Sequence, residues 1–323
     1  MGCCCLCPFF SKTKNKSEKV FGFDNIGNSC YINSFLQIII HCPNFLKQIK
    51  ALDNNFLDYP LIKCIITLSK KNDKSCLKQL RELMGSIYSD YKTEKQCDSQ
   101  EFGRRLITEI IKAIKEIKNI NNNESFSSYS SECSVNKDTK IKYEKFNNKY
   151  GKNLINIEKI FLVNEITINL QKEICKIDSN YEIELYFPTN YKNEYSLYDL
   201  LDFKYSNEKV NNTTIKICNL PDILIISIIR STIDHKLIRS LLKYDEKLNL
   251  EKYVDKKIID KDVKNFEYKL FGINIKNGES NNKGHYYCYV YINKGWICIN
   301  DTEILSEKCF SSKEVVGLFY RKK

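Results

Sequence analysis

The stretch GFDNIGNSCYINSFLQ, residues 22–37, decides how the rest of the chain is interpreted. It begins as a short loop and continues as a run of helical character from Cys30 to about His41, ending near Pro43. A thiol that opens a helix lies among unpaired N–H groups and at the positive end of the helix dipole, which favours the thiolate. Cys30 is therefore a candidate nucleophile, while a buried structural cysteine is the alternative that this residue alone leaves open.

A thiolate nucleophile needs a base, and the chain has only 3 histidines. His41 lies about three turns further along the same helix, too distant to touch the thiol. His235 belongs to a polar stretch, STIDHK, that has the composition of a loop. His285 begins the β-like run HYYCYV after a glycine-containing loop, so it is the best candidate for the base.

A second strand, 296–299, follows a turn at 293–295 and can pair with the His285 strand as a hairpin. The end of this strand would bring Asn300 or Asp301 close to His285. An acceptor on one imidazole nitrogen fixes the tautomer and the orientation of the ring, so that the other nitrogen faces the sulfur.

Nucleophile, base and orienting group then follow one another in the order Cys, His, Asn or Asp, as in papain-like proteases. Asn25, five residues before Cys30, could donate its side-chain amide to the oxyanion that forms when the sulfur attacks a carbonyl.

These residues also carry a family resemblance. Residues 22–37 resemble the Cys box of the ubiquitin-specific proteases, G-L-x-N-x-G-N-T-C-Y-x-N-S-x-L-Q, with Phe23 for Leu and Ser29 for Thr. Further similar stretches, in the family's order, are QCDSQEF at 96–102, NLPDILIISIIR at 219–230, the His box at 268–290 with Lys276 where the first His is usual, WICIND at 296–301 with Ile299 for Phe, and the last strand at 317–320.

The resemblance implies an α+β, papain-like fold shaped as a right hand, with a helical thumb up to roughly residue 120 and an antiparallel β palm and fingers after it. The implied reaction is hydrolysis of the isopeptide or peptide bond after the C-terminal glycine of ubiquitin, without a cofactor. By motif position the resemblance makes Cys30 the nucleophile, His285 the base, Asn300 the third member, Asn25 the oxyanion donor and Asp301 a helper.

Three further residues receive substrate-binding roles from the resemblance, each beside a plain structural alternative. Asp98 would contact the arginine-bearing tail of ubiquitin, and it also resembles a helix cap with Glu101 three residues on. Gly284 would leave a slot for a diglycine tail, the alternative being an ordinary turn glycine. Tyr286 would pack against that tail or belong to the core.

One family feature is absent from the sequence. Many members hold zinc in the fingers with two C-x-x-C pairs, whereas the matching region here contains isolated Cys133, Cys175 and Cys218. We therefore expect no metal site, and fingers that are shortened or held by packing alone.

The composition is that of a globular protein, with 42% hydrophobic and 28% charged residues among 323. The net charge of +11 is spread along the chain without a nucleic-acid-binding motif, so we expect a solvated basic surface and no nucleic-acid partner. The 15 cysteines indicate reduced thiols rather than a disulfide framework, because the chain is neither small nor led by a signal peptide. No apolar run is long enough to span a bilayer, so we expect a soluble or peripheral protein. We also expect a monomer in the cytoplasm.

The tail 1–19 is separate from the catalytic domain expected over 20–323. Gly2 is a candidate for myristoylation, although Leu6 stands where the motif prefers Ser or Thr. Cysteines beside a first acyl chain are candidates for palmitoylation, and a basic stretch follows them, so the tail could anchor the protein to a membrane. The candidate cysteines are Cys3, Cys4 and Cys5. A disordered tail with incidental thiols, or with loosely bound metal, is the alternative.

Hydrophobic periodicity predicts a second helix over about 98–118, with an apolar stripe that faces the core. Residues 121–153 are rich in Asn, Ser and Lys and are interpreted mostly as a long, mobile insertion. Expected strands follow at 159–170, 181–187, 214–217, 223–229, 268–276, 285–292 and 296–299, with a short helix at 195–203.

Two other functions remain compatible with the sequence. A catalytically inactive ubiquitin-binding module at membranes would retain the fold without the reaction, and a protease for another ubiquitin-like modifier would retain the reaction with a different substrate.

Overall fold

The computed structural model describes residues 20–52, 59–118, 131–134, 143–144, 147–148, 155–169, 174–189, 192–205, 213–259, 265–280, 283–305 and 311–323. The candidate acylation sites Gly2, Cys3, Cys4 and Cys5 lie outside the described residues, as does most of the segment 121–153.

The described residues of the first part of the chain form five α-helices: α1 (Cys30–Ile40), α2 (Pro43–Lys50), α3 (Pro60–Leu68), α4 (Lys74–Ile87) and α5 (Ser99–Ile117). We call this helical part the thumb. Proline begins α2 and α3, where its missing N–H is harmless. All 11 residues of α1 are buried, because this strongly apolar helix packs between α5 and the sheet that follows.

The strands are β1 (Ser131–Ser134), β2 (Val163–Asn169), β3 (Ile174–Asn180), β4 (Ile183–Tyr186), β5 (Glu194–Ser196), β6 (Thr213–Asn219), β7 (Ile223–Ile229), β8 (Leu241–Lys243), β9 (Lys247–Asn249), β10 (Glu267–Ser280), β11 (Lys283–Ile292), β12 (Gly295–Asn300), β13 (Glu303–Leu305), β14 (Ser311–Ser312) and β15 (Val315–Lys322). Helices α6 (Asn156–Lys159) and α7 (Leu197–Tyr205) lie among them.

Eight strands form the palm, in the order β13-β12-β11-β10-β15-β7-β4, with β9 paired to β10. The fingers are a four-stranded sheet, β1-β3-β2-β6, and β14-β8-β5 form a small third sheet. Among the described strands every pair is antiparallel except β4–β7 and β5–β8, so the sheet-rich half is largely antiparallel, as predicted.

The β11–β12 hairpin is the palm element that matters most for the site. Asn293 and Lys294 form its two-residue turn with φ of 50° and 68°, the left-handed geometry that suits the strand twist. The register pairs Cys288 with Ile299, so Asn300 ends β12 two positions from the level of His285. The predicted hairpin is thus confirmed.

Two hydrophobic clusters fill the molecule, one between the thumb and a face of the palm and one beneath the opposite face. The ring of Phe35 in α1 meets that of Phe319 in β15 edge to face, with centroids 5.6 Å apart. A Cβ on Gly103 would lie 2.0 Å from the Phe35 ring, so only glycine allows α5 to approach α1 this closely.

The strand boundaries show where sequence patterns reach their limit. The strand expected at 159–170 starts later than predicted: Lys159 is the last residue of α6, and β2 begins at Val163. The segment interpreted as an insertion contains β1, which pairs with β3 through the backbone. Among the described helices, none is both long and apolar enough to cross a membrane.

Candidate active site

Cys30 is the first residue of α1 and is 3% exposed. The loop before it is held by its own side chains, since Asn25 Oδ1 accepts from the N–H groups of Gly27 (3.1 Å) and Ser29 (3.2 Å). The Ser29 hydroxyl accepts in turn from the N–H of Ile26 at 2.9 Å. Gly27 has a φ of 96°, a conformation that favours glycine. The loop thus delivers the sulfur to the helix N-terminus in a fixed geometry.

His285, near the start of β11, lies between the sulfur and an amide. Its Nε2 is 2.5 Å from Asn300 Oδ1, which accepts the ring N–H and leaves Nδ1 for Cys30. The hydrogen bond with Cys30 is the main cause that raises the pKa of His285 to about 9, and Asn300 adds to it while burial opposes it. The structure therefore brings together Cys30, His285 and Asn300 in an arrangement that favours a charged imidazolium beside the sulfur.

Asp301 accepts hydrogen bonds from two asparagines, and its charge also helps to raise the pKa of His285. Its carboxylate accepts from Asn33 Nδ2 at 2.7 Å and from Asn25 Nδ2 at 3.0 Å. Because Asn25 uses its oxygen on the backbone of its own loop, its NH₂ group is turned toward Asp301 and the site. Of the two residues that the sequence offered as the partner of His285, Asn300 makes the contact.

Gln96 is a site residue to which the sequence assigned no role. Its amide oxygen accepts from the N–H of Gly284 at 2.9 Å, and its Nε2 donates to the carbonyl of the same glycine. The same Nε2 lies 3.6 Å from Cys30 Sγ. Gln96 thereby links the thumb to the palm beside the nucleophile. Its place in the motif at 96–102 was the only available signal.

Asp98 caps α5, as predicted. Its Oδ1 accepts from the N–H groups of Gln100 and Glu101, both at 2.9 Å. Tyr286 is 1% exposed and belongs to the core, with its hydroxyl 3.4 Å from Asp98 Oδ2. The ring of Tyr286 packs under the thumb, as the core alternative expected, and burial raises the pKa of its hydroxyl. A contact of Tyr286 with the substrate tail stays a prediction.

Gly284 lies within β11 and is not a turn glycine. A Cβ there would be 2.8 Å from the carbonyl oxygen of Asn277 in β10, beside the bulge between Asn277 and Ser280. The close approach of the two strands is thus a sufficient reason for glycine, and the predicted slot for a diglycine tail stays a prediction.

A cavity of about 170 Å³ opens between the thumb and the palm beside these residues. Asp98 and Gln100 line it from the thumb, and Lys276 lines it from β10, with its Nζ 5.5 Å from the Tyr286 ring. Burial lowers the pKa of Lys276, while Asp98 and Cys30 oppose that shift. The residue that departs from the family motif therefore lies in a cavity between the thumb and the palm, close enough to Cys30 for the two groups to interact electrostatically.

The other histidines lie elsewhere. His41 Nδ1 is 2.7 Å from the carbonyl of Gln37 at the far end of α1, and His235 lies in an exposed turn with a φ of 60°. No cluster of three or more His, Cys, Asp or Glu side chains that could hold a metal occurs in the described part of the chain.

Comparison with known proteins places this geometry in a family. The model of the ubiquitin carboxyl-terminal hydrolase family matches residues 21–320, so the chain belongs to that family. Ubiquitin carboxyl-terminal hydrolase 25 of Arabidopsis thaliana is 25% identical over 352 aligned residues, covering 94% of this chain and 48% of that protein. Ubiquitin carboxyl-terminal hydrolase 4 of the same plant is 28% identical over 107 residues, which is 30% of this chain and 29% of the relative. The chain therefore spans about half the length of the first relative, and the match to the second covers under a third of it.

Solved structures share the fold. The Ubp8/Sgf11/Sus1/Sgf73 deubiquitinating module of SAGA bound to ubiquitin aldehyde contains a chain with a TM-score of 0.68 at 18% identity, matched over 98% of this chain and 72% of that one. The same module without that ligand in its description gives 0.66 at 20% identity, over 98% and 70% of the two chains. The predicted α+β, papain-like fold of the ubiquitin-specific proteases is confirmed.

Proposed function

We propose that this protein is a cysteine protease that removes ubiquitin by hydrolysing the bond after its C-terminal glycine. The observation that carries the proposal is the pairing of Cys30 with His285, whose other ring nitrogen is held by Asn300. Family membership and the ubiquitin-aldehyde complex of a protein with the same fold support ubiquitin as the substrate.

Acylation begins with the Cys30 sulfur attacking the carbonyl carbon of the terminal glycine. The C–S bond forms as the carbonyl π electrons move to oxygen, and the Asn25 amide together with the N–H groups at the start of α1 donates to that oxyanion. When the oxyanion collapses, the C–N bond breaks and His285 gives its proton to the leaving amine. The product is a thioester between ubiquitin and Cys30.

Deacylation uses the same groups, but His285 now accepts a proton instead of donating one. Neutral His285 takes a proton from water as the water oxygen attacks the thioester carbon, and the second oxyanion occupies the same donors. Its collapse breaks the C–S bond, expels the sulfur as thiolate and releases ubiquitin as the free acid, which loses the second water proton to solvent and becomes the carboxylate. Asn300 keeps the imidazole aligned through both steps, since it holds the nitrogen that does not exchange protons.

The test is reaction of the purified protein with ubiquitin that carries a C-terminal thiol-reactive warhead. Cys30→Ala and the same warhead on another ubiquitin-like modifier serve as controls. We expect an adduct with ubiquitin that Cys30→Ala does not form. Retained ubiquitin binding without an adduct would favour an inactive binding module, and a preference for the other modifier would change the substrate assignment.

The location of the protein in the cell is a separate part of the proposal. We propose a cytoplasmic monomer that attaches to membranes when its tail is acylated at Gly2 and at Cys3, Cys4 or Cys5, since one acyl chain alone binds only marginally. Intact mass of the protein from its own cells would reveal the acyl groups, and sedimentation of the delipidated protein would give the oligomeric state. An unmodified tail would contradict the proposal that the protein attaches to membranes through acyl groups.

A further inference from the structure

Arg81 is a buried cation that the proposed mechanism does not use. It projects from α4, is 8% exposed and donates four hydrogen bonds, all to main-chain carbonyls. Two of these come from Nη1, to the carbonyls of Ile26 (3.2 Å) and Gly27 (2.9 Å) in the loop before Cys30. The other two reach Tyr91 (3.3 Å) and Thr93 in the segment before Gln96.

The two loops that Arg81 joins also contact each other directly. Asn28 Nδ2 donates to the carbonyl of Glu94 at 2.7 Å, and a Cβ on Gly27 would lie 2.7 Å from the Glu94 carboxyl carbon. Gly27 and Asn28 have φ of 96° and 47°, and such conformations persist where surrounding contacts fix them. Arg81 supplies two of those contacts, to the carbonyls of Ile26 and Gly27, and its other two hydrogen bonds hold the facing segment.

The peptide unit between Ile26 and Gly27 connects Arg81 to the oxyanion donor. Its carbonyl accepts from Arg81, and its N–H donates to Asn25 Oδ1 at 3.1 Å. Because the unit is planar, an orientation fixed at the carbonyl is also fixed at the N–H. That N–H occupies the oxygen of the Asn25 amide, which leaves the NH₂ group directed toward Asp301 and the site.

We propose that Arg81 is a positioning residue for oxyanion stabilisation: it orients the Asn25 amide through the Ile26–Gly27 peptide. The inference rests on the proposed hydrolase function. Lysine keeps the charge of Arg81 but lacks the planar fork that reaches two loops at once, so Arg81→Lys separates geometry from charge.

The experiment measures two reactions of Cys30. We expect Arg81→Lys to lower kcat for hydrolysis of a ubiquitin C-terminal amide by about tenfold with KM little changed, as expected for part of an oxyanion donor worth about 10²–10³. Alkylation of Cys30 by iodoacetamide forms no oxyanion, so its rate should stay within about twofold of wild type. Arg105→Lys is the matched control, because Arg105 bonds the carboxylates of Asp90 and Glu101 and should keep full hydrolysis.

A double-mutant cycle decides whether the effect passes through Asn25. In an Asn25→Ala background, Arg81→Lys should cost less than about twofold, because the amide it orients is gone. A full tenfold cost in that background, or an equal fall in alkylation, would overturn the proposal. Arg81→Gln keeps a planar donor that can reach one loop only, and it should show the same pattern if the lysine variant does not fold.

Hydrogen exchange of the Asn25 side-chain amide tests the role of Arg81 without measuring catalytic activity. The Asn25 side-chain NH₂ signal, identified by its loss in Asn25→Ala, should exchange with solvent faster in Arg81→Lys than in wild type. If wild type fails to hydrolyse ubiquitin, the proposed function fails and this measurement still tests Arg81. Unchanged exchange would show that Arg81 does not hold the amide.

Discussion

His285 gains its basicity from its neighbours. Burial alone would lower the pKa of an imidazole, yet the hydrogen bond with Cys30 and the acceptor on Asn300 together raise it to about 9. At neutral pH the ring is therefore charged, and the proton needed by the leaving amine is already in place.

We expect an NMR titration to give His285 a pKa near 9, with a fall toward the ordinary value of 6.5 in Cys30→Ala, since the largest cause of the shift is removed. The alkaline limb of kcat/KM should lie near the same pH, because hydrolysis is lost once the imidazolium loses its proton. Cys64→Ala makes the same change at a buried thumb cysteine and should leave the titration unchanged. A titration near 6.5 in wild type would contradict the raised pKa of His285.

A polar seam joins the start of α5 to the palm at the scale of single elements. Gln100 Nε2 donates to the Ser227 hydroxyl of β7 at 3.1 Å, and its oxygen accepts from Asn274 Nδ2 of β10 at 3.2 Å. Asn274 also donates to the Ser99 hydroxyl at 2.8 Å. The helix that carries Asp98 is thus fixed to the sheet by directional bonds rather than by apolar packing alone.

We expect Gln100→Leu to lower the free energy of unfolding by about 1–3 kcal/mol, because it leaves the polar groups of Ser227 and Asn274 buried without that partner. Urea denaturation would measure the loss. Gln79→Leu, the same change at an exposed thumb position, should stay within about 0.5 kcal/mol of wild type. Equal losses in the free energy of unfolding for the two variants would show that the hydrogen bonds of Gln100 do not stabilise the fold.

The elements that the sequence predicted are those whose pattern is local. The apolar stripe of α5, the continuous run of β7 and the turn at 293–295 each require only neighbouring residues, and all three elements form as predicted. The three-residue strand β8 and the mixed polar strand β3 exist through pairing with distant segments, so local periodicity could not reveal them.

The same distinction applies to the site. Cys30 and His285 could be predicted because one helix start and three histidines restrict the choice. The hairpin left Asn300 and Asp301 as candidates for the third member, and the family resemblance indicated Asn300. The contact of Gln96 with Gly284 joins residues 188 positions apart. The hydrogen bonds of Arg81 to two loops depend on the directions in which the main-chain carbonyls of those loops point. Neither property is encoded in a local pattern of residue types.

The thumb carries Cys30 and Asn25, and the palm carries His285, Asn300 and Asp301, so the alignment of the site is a property of the whole molecule. Besides the Gln96 contact and the polar seam, a junction between α5 and α6 joins the thumb to the segment just before β2 of the fingers. Lys115 of α5 forms a buried ion pair with Glu158 of α6 at 2.8 Å. Tyr181 also donates to that carboxylate at 3.1 Å, beyond the end of β3.

Loss of one partner from this junction should destabilise the whole chain. We expect Lys115→Met to lower the free energy of unfolding by about 3–5 kcal/mol, since it leaves the Glu158 carboxylate buried without its counter-charge. Lys112→Met removes the partly exposed partner of Glu109 on the same helix, and the Glu109 carboxylate keeps the hydrogen bond from Tyr88, so the cost should be no more than about 1 kcal/mol. Adding Glu158→Leu and Tyr181→Phe to Lys115→Met removes every charged or polar member of the junction, so part of the lost stability should return in urea denaturation. If Lys115→Met costs no more than Lys112→Met, the buried charge is not held by this pair, and the junction contributes through its apolar neighbours instead.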